Sequence, residues 1–229
     1  MFWLALIPGI VAILFFLVVR VKRGGLPGTL AKSIPSFFFI VTACAALAAN
    51  PDQYRYGLLI IPGLVCGLLG DIWLDLKYAY PGDADIYLYA GFYSFFVGHI
   101  FFITAIFSHY DWNVLTLVIS FVLALAGAVI NIALERPLKL NMGAFKITCF
   151  IYGLSLMMTA SSSIVAAYVT GETVWYVMSA GSIFFLLSDL VLSGTYFGEG
   201  KNTPAYVVVN HGLYYIAQFL IASSILFMK

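Results

Sequence analysis

The chain has 229 residues, 63% of them hydrophobic and 9% charged, with a net charge of +1. Soluble globular domains carry about 25% charged and about 45–50% apolar residues, so this composition excludes a water-soluble fold and describes a polytopic membrane protein. The charge balance offers nucleic acid no basic patch. The three cysteines, Cys44, Cys66 and Cys149, lie in apolar stretches without a Cys-x-x-Cys pair, and read as small buried hydrophobes rather than a zinc site.

A membrane-spanning helix needs roughly 20 mainly apolar residues. Eight segments qualify, which predicts an all-α bundle of eight transmembrane helices forming a single domain over residues 1–229. The first covers about 2–19; its charges, Arg20, Lys22 and Arg23, follow it instead of preceding it, so it reads as a retained span and not a cleaved leader. Gly24-Gly25-Leu26-Pro27-Gly28 turns the chain into span two (34–49), which Lys32 precedes. Asn50-Pro51-Asp52 leads to span three (57–76), which contains Asp71 and Asp75, and Pro81-Gly82-Asp83 to span four (87–107) with His99 near its middle. Span five covers 112–133, and Lys146 opens span six (144–168). Gly171 precedes span seven (173–193) with Asp189, and Gly198-Glu199-Gly200 precedes span eight (205–227) with His211. Loops this short make consecutive helices antiparallel neighbours. The loops after spans one, three, five and seven hold nine of the eleven Lys and Arg residues, which predicts that this face is cytoplasmic and that both termini point away from it.

A carboxylate in the hydrocarbon region costs a few kcal/mol or more and tends to mark function. Two occur here in nearly the same frame, Leu68-Leu69-Gly70-Asp71-Ile72-Trp73-Leu74 and Leu186-Leu187-Ser188-Asp189-Leu190-Val191-Leu192. Two parallel four-helix repeats, 1–110 and 111–229, would explain the match, because an even number of spans preserves orientation. Coincidence in a Leu-rich sequence is the other reading. Either way, the charge bias puts both acids toward the cytoplasmic end of alternate spans, Asp71 roughly 8 Å inside, where they can share a site.

Asp75 lies one helical turn after Asp71 on the same face, where one carboxylate would keep its proton toward neutral pH; its bland reading is a solvated helix end. His99 and His211 each adjoin a glycine, and read as interhelical hydrogen-bonding residues or as proton shuttles. Lys32 and Lys146 could each hold a phosphate as a point charge, or simply snorkel to the interface. Asn131, Asn141, Asn210 and Gln218 read as interhelical glue. Tyr152, Tyr214 and Tyr215 could line a pocket, but nothing in the sequence singles them out.

Lys32-Ser33-Ile34-Pro35, Gly70-Asp71-Ile72-Trp73-Leu74, Gly91-Phe92 with Phe95-Phe96-Val97-Gly98-His99-Ile100-Phe101-Phe102, Phe184-Phe185-Leu186-Leu187-Ser188-Asp189 and Tyr214-Tyr215-Ile216-Ala217-Gln218 follow one another at successive spans. This order resembles the YhhN family of integral-membrane lysoplasmalogenases from about residue 30 to 225, although the first motif reads Lys-Ser-Ile-Pro where Lys directly before Pro is expected. The resemblance implies hydrolysis of the vinyl-ether bond of a lysoplasmalogen to a fatty aldehyde and a glycerophospho-ethanolamine or -choline. Such chemistry needs an acid to protonate carbon and a second carboxylate to stabilise the oxocarbenium ion or activate water, as in glycosidases. The expected catalytic residues are Asp71 (the acid, coupled to Asp75) and Asp189, or the reverse. Lys32, Asp75, His99, Lys146, His211 and Tyr214 are the expected substrate-binding and tuning residues, with no metal or organic cofactor. The expected partners are a lysophospholipid substrate and bilayer lipid, and the expected location is a bacterial inner or cell membrane with the site toward the cytoplasm. A small proton-coupled transporter and a non-catalytic lipid-binding membrane protein are the competing readings. The outer half of the bundle, nearly free of ionisable groups apart from His99, favours a one-sided lipid enzyme.

Overall fold

The computed structural model describes residues 2–23 and 25–229. Among these the chain forms eight α-helices: α1 (Phe2–Lys22), α2 (Leu26–Ala49), α3 (Tyr54–Ala79), α4 (Ala84–Phe107), α5 (Val114–Ala133), α6 (Lys146–Thr170), α7 (Thr173–Phe197) and α8 (Pro204–Ser223). All eight are long and apolar enough to cross a membrane, so the chain is a multi-pass membrane protein. Their ends carry local stop and start signals. Asn113 and Thr116 form a reciprocal capping box at the start of α5. Thr203 caps α8 with Pro204 in the first turn. Gly171 closes α6 in the left-handed conformation, at φ 69°.

Several helices run further than hydropathy alone indicates. α2 begins at Leu26 instead of 34, α3 continues to Ala79, and α7 to Phe197. The first two of these extra stretches carry Lys32 and Lys77, which lower the local hydropathy without breaking the helix.

Consecutive helices pack as pairs, α1 with α2, α3 with α4, α5 with α6 and α7 with α8, and α2–α3, α4–α6, α6–α7 and α2–α8 contacts join the pairs. α1 and α5 lie outermost, with Leu4, Val11, Leu115 and Val122 exposed to the surroundings, here lipid. The core therefore sits among the other six helices, where Phe39, Leu64, Phe102, Trp175, Phe185 and Tyr215 are fully buried. α3 and α4 approach closely: a Cβ on Gly98 would lie 3.0 Å from the carbonyl oxygen of Gly63. Small residues at that crossing bring the two backbones together.

The loops after α1, α3, α5 and α7 share one end of the bundle, called here the basic end. Its cover is built from the 134–145 and 198–203 loops. Asn141 N–H donates to the Phe197 carbonyl at 2.8 Å, and Lys201 Nζ donates to the Leu138 carbonyl at 2.7 Å. These bonds hold the connections of α5–α6 and α7–α8 together at the end of α7, the helix that carries Asp189.

Candidate active site

Asp71 lies eight residues before the end of α3, and Asp189 eight residues before the end of α7. At 1.5 Å per residue, each is roughly 12 Å inside its helix, deeper than the 8 Å expected, because both helices run on past the apolar stretch. The two acids have unequal surroundings.

Asp71 is buried, at 2% exposure, and surrounded by donors. Lys32 Nζ lies 3.1 Å from Oδ1. Ser36 Oγ donates to Oδ2 at 2.6 Å, and Tyr214 OH donates to the same oxygen at 2.8 Å while accepting from Gln218 Nε2 at 2.9 Å. Asp75 is not a solvated helix end: it is 1% exposed and held by Arg20 Nη1 at 3.1 Å and Lys32 Nζ at 3.4 Å. Lys32 is likewise not an interface lysine. It lies inside α2 at 4% exposure, between the two carboxylates. Arg20, Asp75, Lys32 and Asp71 thus form a row of alternating charges, the arrangement that makes burial of four ionic groups tolerable.

Asp189 is only partly buried and has no cation beside it among the described residues. Tyr152 OH donates to its Oδ2 through a short hydrogen bond, and Oδ1 has no protein partner among the described residues. Both aspartates line one narrow cavity of about 30 Å³, together with Lys32, Asn210, His211 and Tyr214. That volume accommodates one or two waters. A second cavity of about 50 Å³ continues on the other side of Asp189, past Tyr152 and Tyr196 to Cys149.

Of the residues singled out in the sequence, the fold brings Lys32, Asp71, Asp189, His211 and Tyr214 to this cavity. Asp75 stands one turn behind, linked through Lys32. His211 donates from Nδ1 to the Val207 carbonyl at 2.8 Å, which leaves Nε2 as its second polar atom. His99 lies deeper and does not line the cavity. Its Nδ1 bonds to Thr159 Oγ1 at 3.0 Å; because Thr159 gives its proton to the Ser155 carbonyl, Nδ1 carries the hydrogen and the buried Nε2 is left without a partner. Lys146 does not line the cavity. Its half-exposed side chain pairs with Glu135 at 2.6 Å in the cover. The Lys146 ammonium and the Met142 N–H together hold the Glu135 carboxyl below its ordinary range. Asn210 acts as glue, donating to the Ser188 carbonyl at 2.8 Å and to Ser188 Oγ at 3.0 Å. Cys149 is buried, whereas Cys44 faces outward, contrary to its expected burial. Among the described residues no three His, Cys, Asp or Glu side chains gather as a metal set.

Sequence reasoning missed Ser36 and Arg20, and named Tyr152 only among three tyrosines that could line a pocket. Tyr152 is one of 15 tyrosines, and only the packing of α6 on α7 distinguishes it. Ser36 stands one turn after Lys32, a spacing that would have put it on the lysine face. Arg20 follows an apolar run and looked like a loop charge, yet its side chain is 9% exposed.

A family model, that of the YhhN family, matches residues 28–225, nearly the whole chain. No curated protein and no solved structure matches.

Proposed function

The chain belongs to the YhhN family, and from that premise we propose that it is a membrane-embedded hydrolase that cleaves the vinyl-ether bond of a lysoplasmalogen. The observation that carries the reading is that Asp71 and Asp189, from different halves of the chain, line one cavity in unequal surroundings. Pairs of acids in different environments are the usual basis for dividing the proton-donor and carboxylate roles.

In this reading Asp189 is the acid, the reverse of the first assignment made from sequence. Lys32 divides Asp71 from Asp75, so the like-charge coupling that favoured Asp71 as the acid is absorbed by a cation. Asp71 is instead the standing carboxylate, fixed by Lys32, Ser36 and Tyr214. Asp189 delivers its proton to the vinyl carbon remote from the ether oxygen. The C=C electron pair forms the new C–H bond, and positive charge develops on the carbon next to oxygen as an oxocarbenium ion. Asp71 faces that charge and takes a proton from the water that adds. The resulting hemiacetal gives its hydroxyl proton to Asp189 as the bond to the glycerol oxygen breaks, that oxygen leaves as an alcohol with the proton held by Asp71, and a fatty aldehyde remains. The net stoichiometry is one water consumed, and the two acids return to their starting states.

The headgroup needs a cation that is not already neutralised. Arg20 and Lys32 are engaged by Asp75 and Asp71, whereas Lys77, over the ring of Tyr196, has no carboxylate partner among the described residues. Tyr196 lines both cavities, and in this reading Lys77 beside it takes the phosphate in place of Lys146, which is paired with Glu135. By the charge rule the basic end is the cytoplasmic one.

The test is to incubate the purified protein in detergent with a lysoplasmalogen and measure aldehyde. Release should occur with wild type and disappear in Asp71→Asn and in Asp189→Asn while both variants remain folded. Normal release from both variants would rule out the two-carboxylate mechanism.

A further inference from the structure

The cavity between the two aspartates is large enough for water but not for a hydrocarbon chain. A lipid that reacts there must therefore keep its chain elsewhere, and among the described residues an apolar groove adjoins the cavity through shared walls. Between α4 and α6, near the basic end, lies a groove of about 360 Å³. α4 contributes Tyr89, Phe92, Tyr93 and Phe96, at i, i+3, i+4 and i+7, one face of the helix. α6 contributes Thr148, Ile151 and Tyr152. Tyr93 is 72% exposed and Ile151 49%, so the groove opens sideways to the bilayer.

The opening has the outline of a window. Deeper in the membrane, the bond between His99 Nδ1 and Thr159 Oγ1 ties α4 to α6. Toward the basic end, Tyr89 lies against Phe145, with ring centroids 4.4 Å apart. Between these two ties the helices meet through the Tyr152 ring, which packs on Phe92 with centroids 5.4 Å apart and, on its inner side, on His99 at 6.0 Å and Phe95 at 6.4 Å. Phe92 and Tyr152 line the groove and also both inner cavities. They are the partition between lipid and the acids, and one of them is the residue whose hydroxyl holds Asp189.

We propose that the α4–α6 window binds the single aliphatic chain of the lipid substrate, and that the Phe92–Tyr152 pair is the gate through which the chain's ether end reaches Asp71 and Asp189. The chain lies along Tyr93, Phe96 and Ile151, an apolar surface in an apolar phase, so it stays at small cost. Movement of the Tyr152 ring opens the partition and at the same time releases Asp189 Oδ2 from its phenol. The proposal rests on the hydrolase reading for the identity of the lipid, but the window itself can be tested without turnover.

The first experiment uses a long-chain alkenyl lysophosphoethanolamine carrying a diazirine on the chain, photolysed with the protein in lipid nanodiscs. Labelling is expected on α4 between Tyr89 and Phe96 and on α6 between Thr148 and Tyr152, and excess unlabelled lysolipid should reduce it. Labels spread over all outer faces, or concentrated in the groove between α1 and α2 lined by Phe15, Leu30 and Ile34, would overturn the proposal. The second experiment narrows the window with Ile151→Trp, away from the acids. Hydrolysis of a long-chain substrate should fall at least about tenfold, since small misplacements of a reacting group have effects of that size or larger. Hydrolysis of a short-chain analogue that does not fill the window should stay within about twofold. An equal loss for both chains, or no loss for either, would refute the gate. Specific labelling in a protein that hydrolyses neither lipid would leave the window standing and reject the hydrolase reading.

Discussion

Lys32→Met removes the cation that Asp71 and Asp75 share. Removing one partner of a buried ion pair costs about 3–5 kcal/mol, because an uncompensated charge is left behind. Here Asp75 keeps Arg20 at 3.1 Å, so the uncompensated charge falls on Asp71. Asp71 in turn keeps two hydroxyl donors, Ser36 and Tyr214. Both features point to the lower end of the range, about 3 kcal/mol. At about 2–4 °C per kcal/mol for a chain of this size, the midpoint of thermal unfolding in detergent should fall by about 6–12 °C. Methionine keeps the length and apolar bulk of the lysine stem, so little of this loss comes from packing. The double variant Lys32→Met/Asp71→Asn removes the stranded charge as well, and should recover at least half of the loss. The assay is a thermal melt of the four proteins of the cycle, followed by tryptophan fluorescence. A Lys32→Met midpoint within about 2 °C of wild type, or a double variant as unstable as the two single losses added together, would refute the charge row.

The same asymmetry between the acids predicts that Asp189→Asn, which strands no cation, shifts the melting midpoint by less than Asp71→Asn; equal shifts would contradict the unequal surroundings. Tyr152→Phe removes the hydrogen bond to Asp189 at a stability cost of about 1 kcal/mol, and should lower aldehyde release by about 10–100-fold; an unchanged rate would remove Tyr152 from the site. Gly98→Val puts a Cβ 3.0 Å from the Gly63 carbonyl oxygen, with two methyls beyond it, and should cost about 1–3 kcal/mol by forcing α3 and α4 apart; an unchanged melt would contradict the close crossing. Glu135 has an ordinary value of 4.5 that folding lowers. Its tie to Lys146 and Met142 therefore stabilises the cover fully above that value and is lost as pH falls through the lower folded one. Hydrogen exchange at the Met142 amide should accelerate in that acidic window beyond the intrinsic trend, and no such acceleration would sink this account of the cover.

The eight spans were legible in the sequence because a run of about 20 apolar residues has few other uses. Their ends were less legible for a physical reason. Hydropathy counts each charge as a cost, but Lys32 and Asp75 neutralise one another inside the bundle, so α2 and α3 run through residues that resemble helix ends. Asp71 and Asp189 stood out because nothing else in their apolar frames explains a carboxylate. Tyr152 and Ser36 did not, since an isolated Tyr or Ser is common in a membrane helix and gains its meaning only from the acid opposite. Lys146 shows the converse: at the start of a span it resembled a phosphate anchor, yet an acid eleven residues earlier in the chain, Glu135, occupies it.

Hydrolysis in heavy water tests the central claim most directly, because proton delivery to carbon leaves a mark in the product. The account predicts that aldehyde released from a lysoplasmalogen carries a single deuterium on the carbon next to the carbonyl, while aldehyde added to the same reaction acquires none in the same time. Aldehyde formed without that deuterium would contradict protonation at carbon, and with it the roles assigned to Asp189 and Asp71.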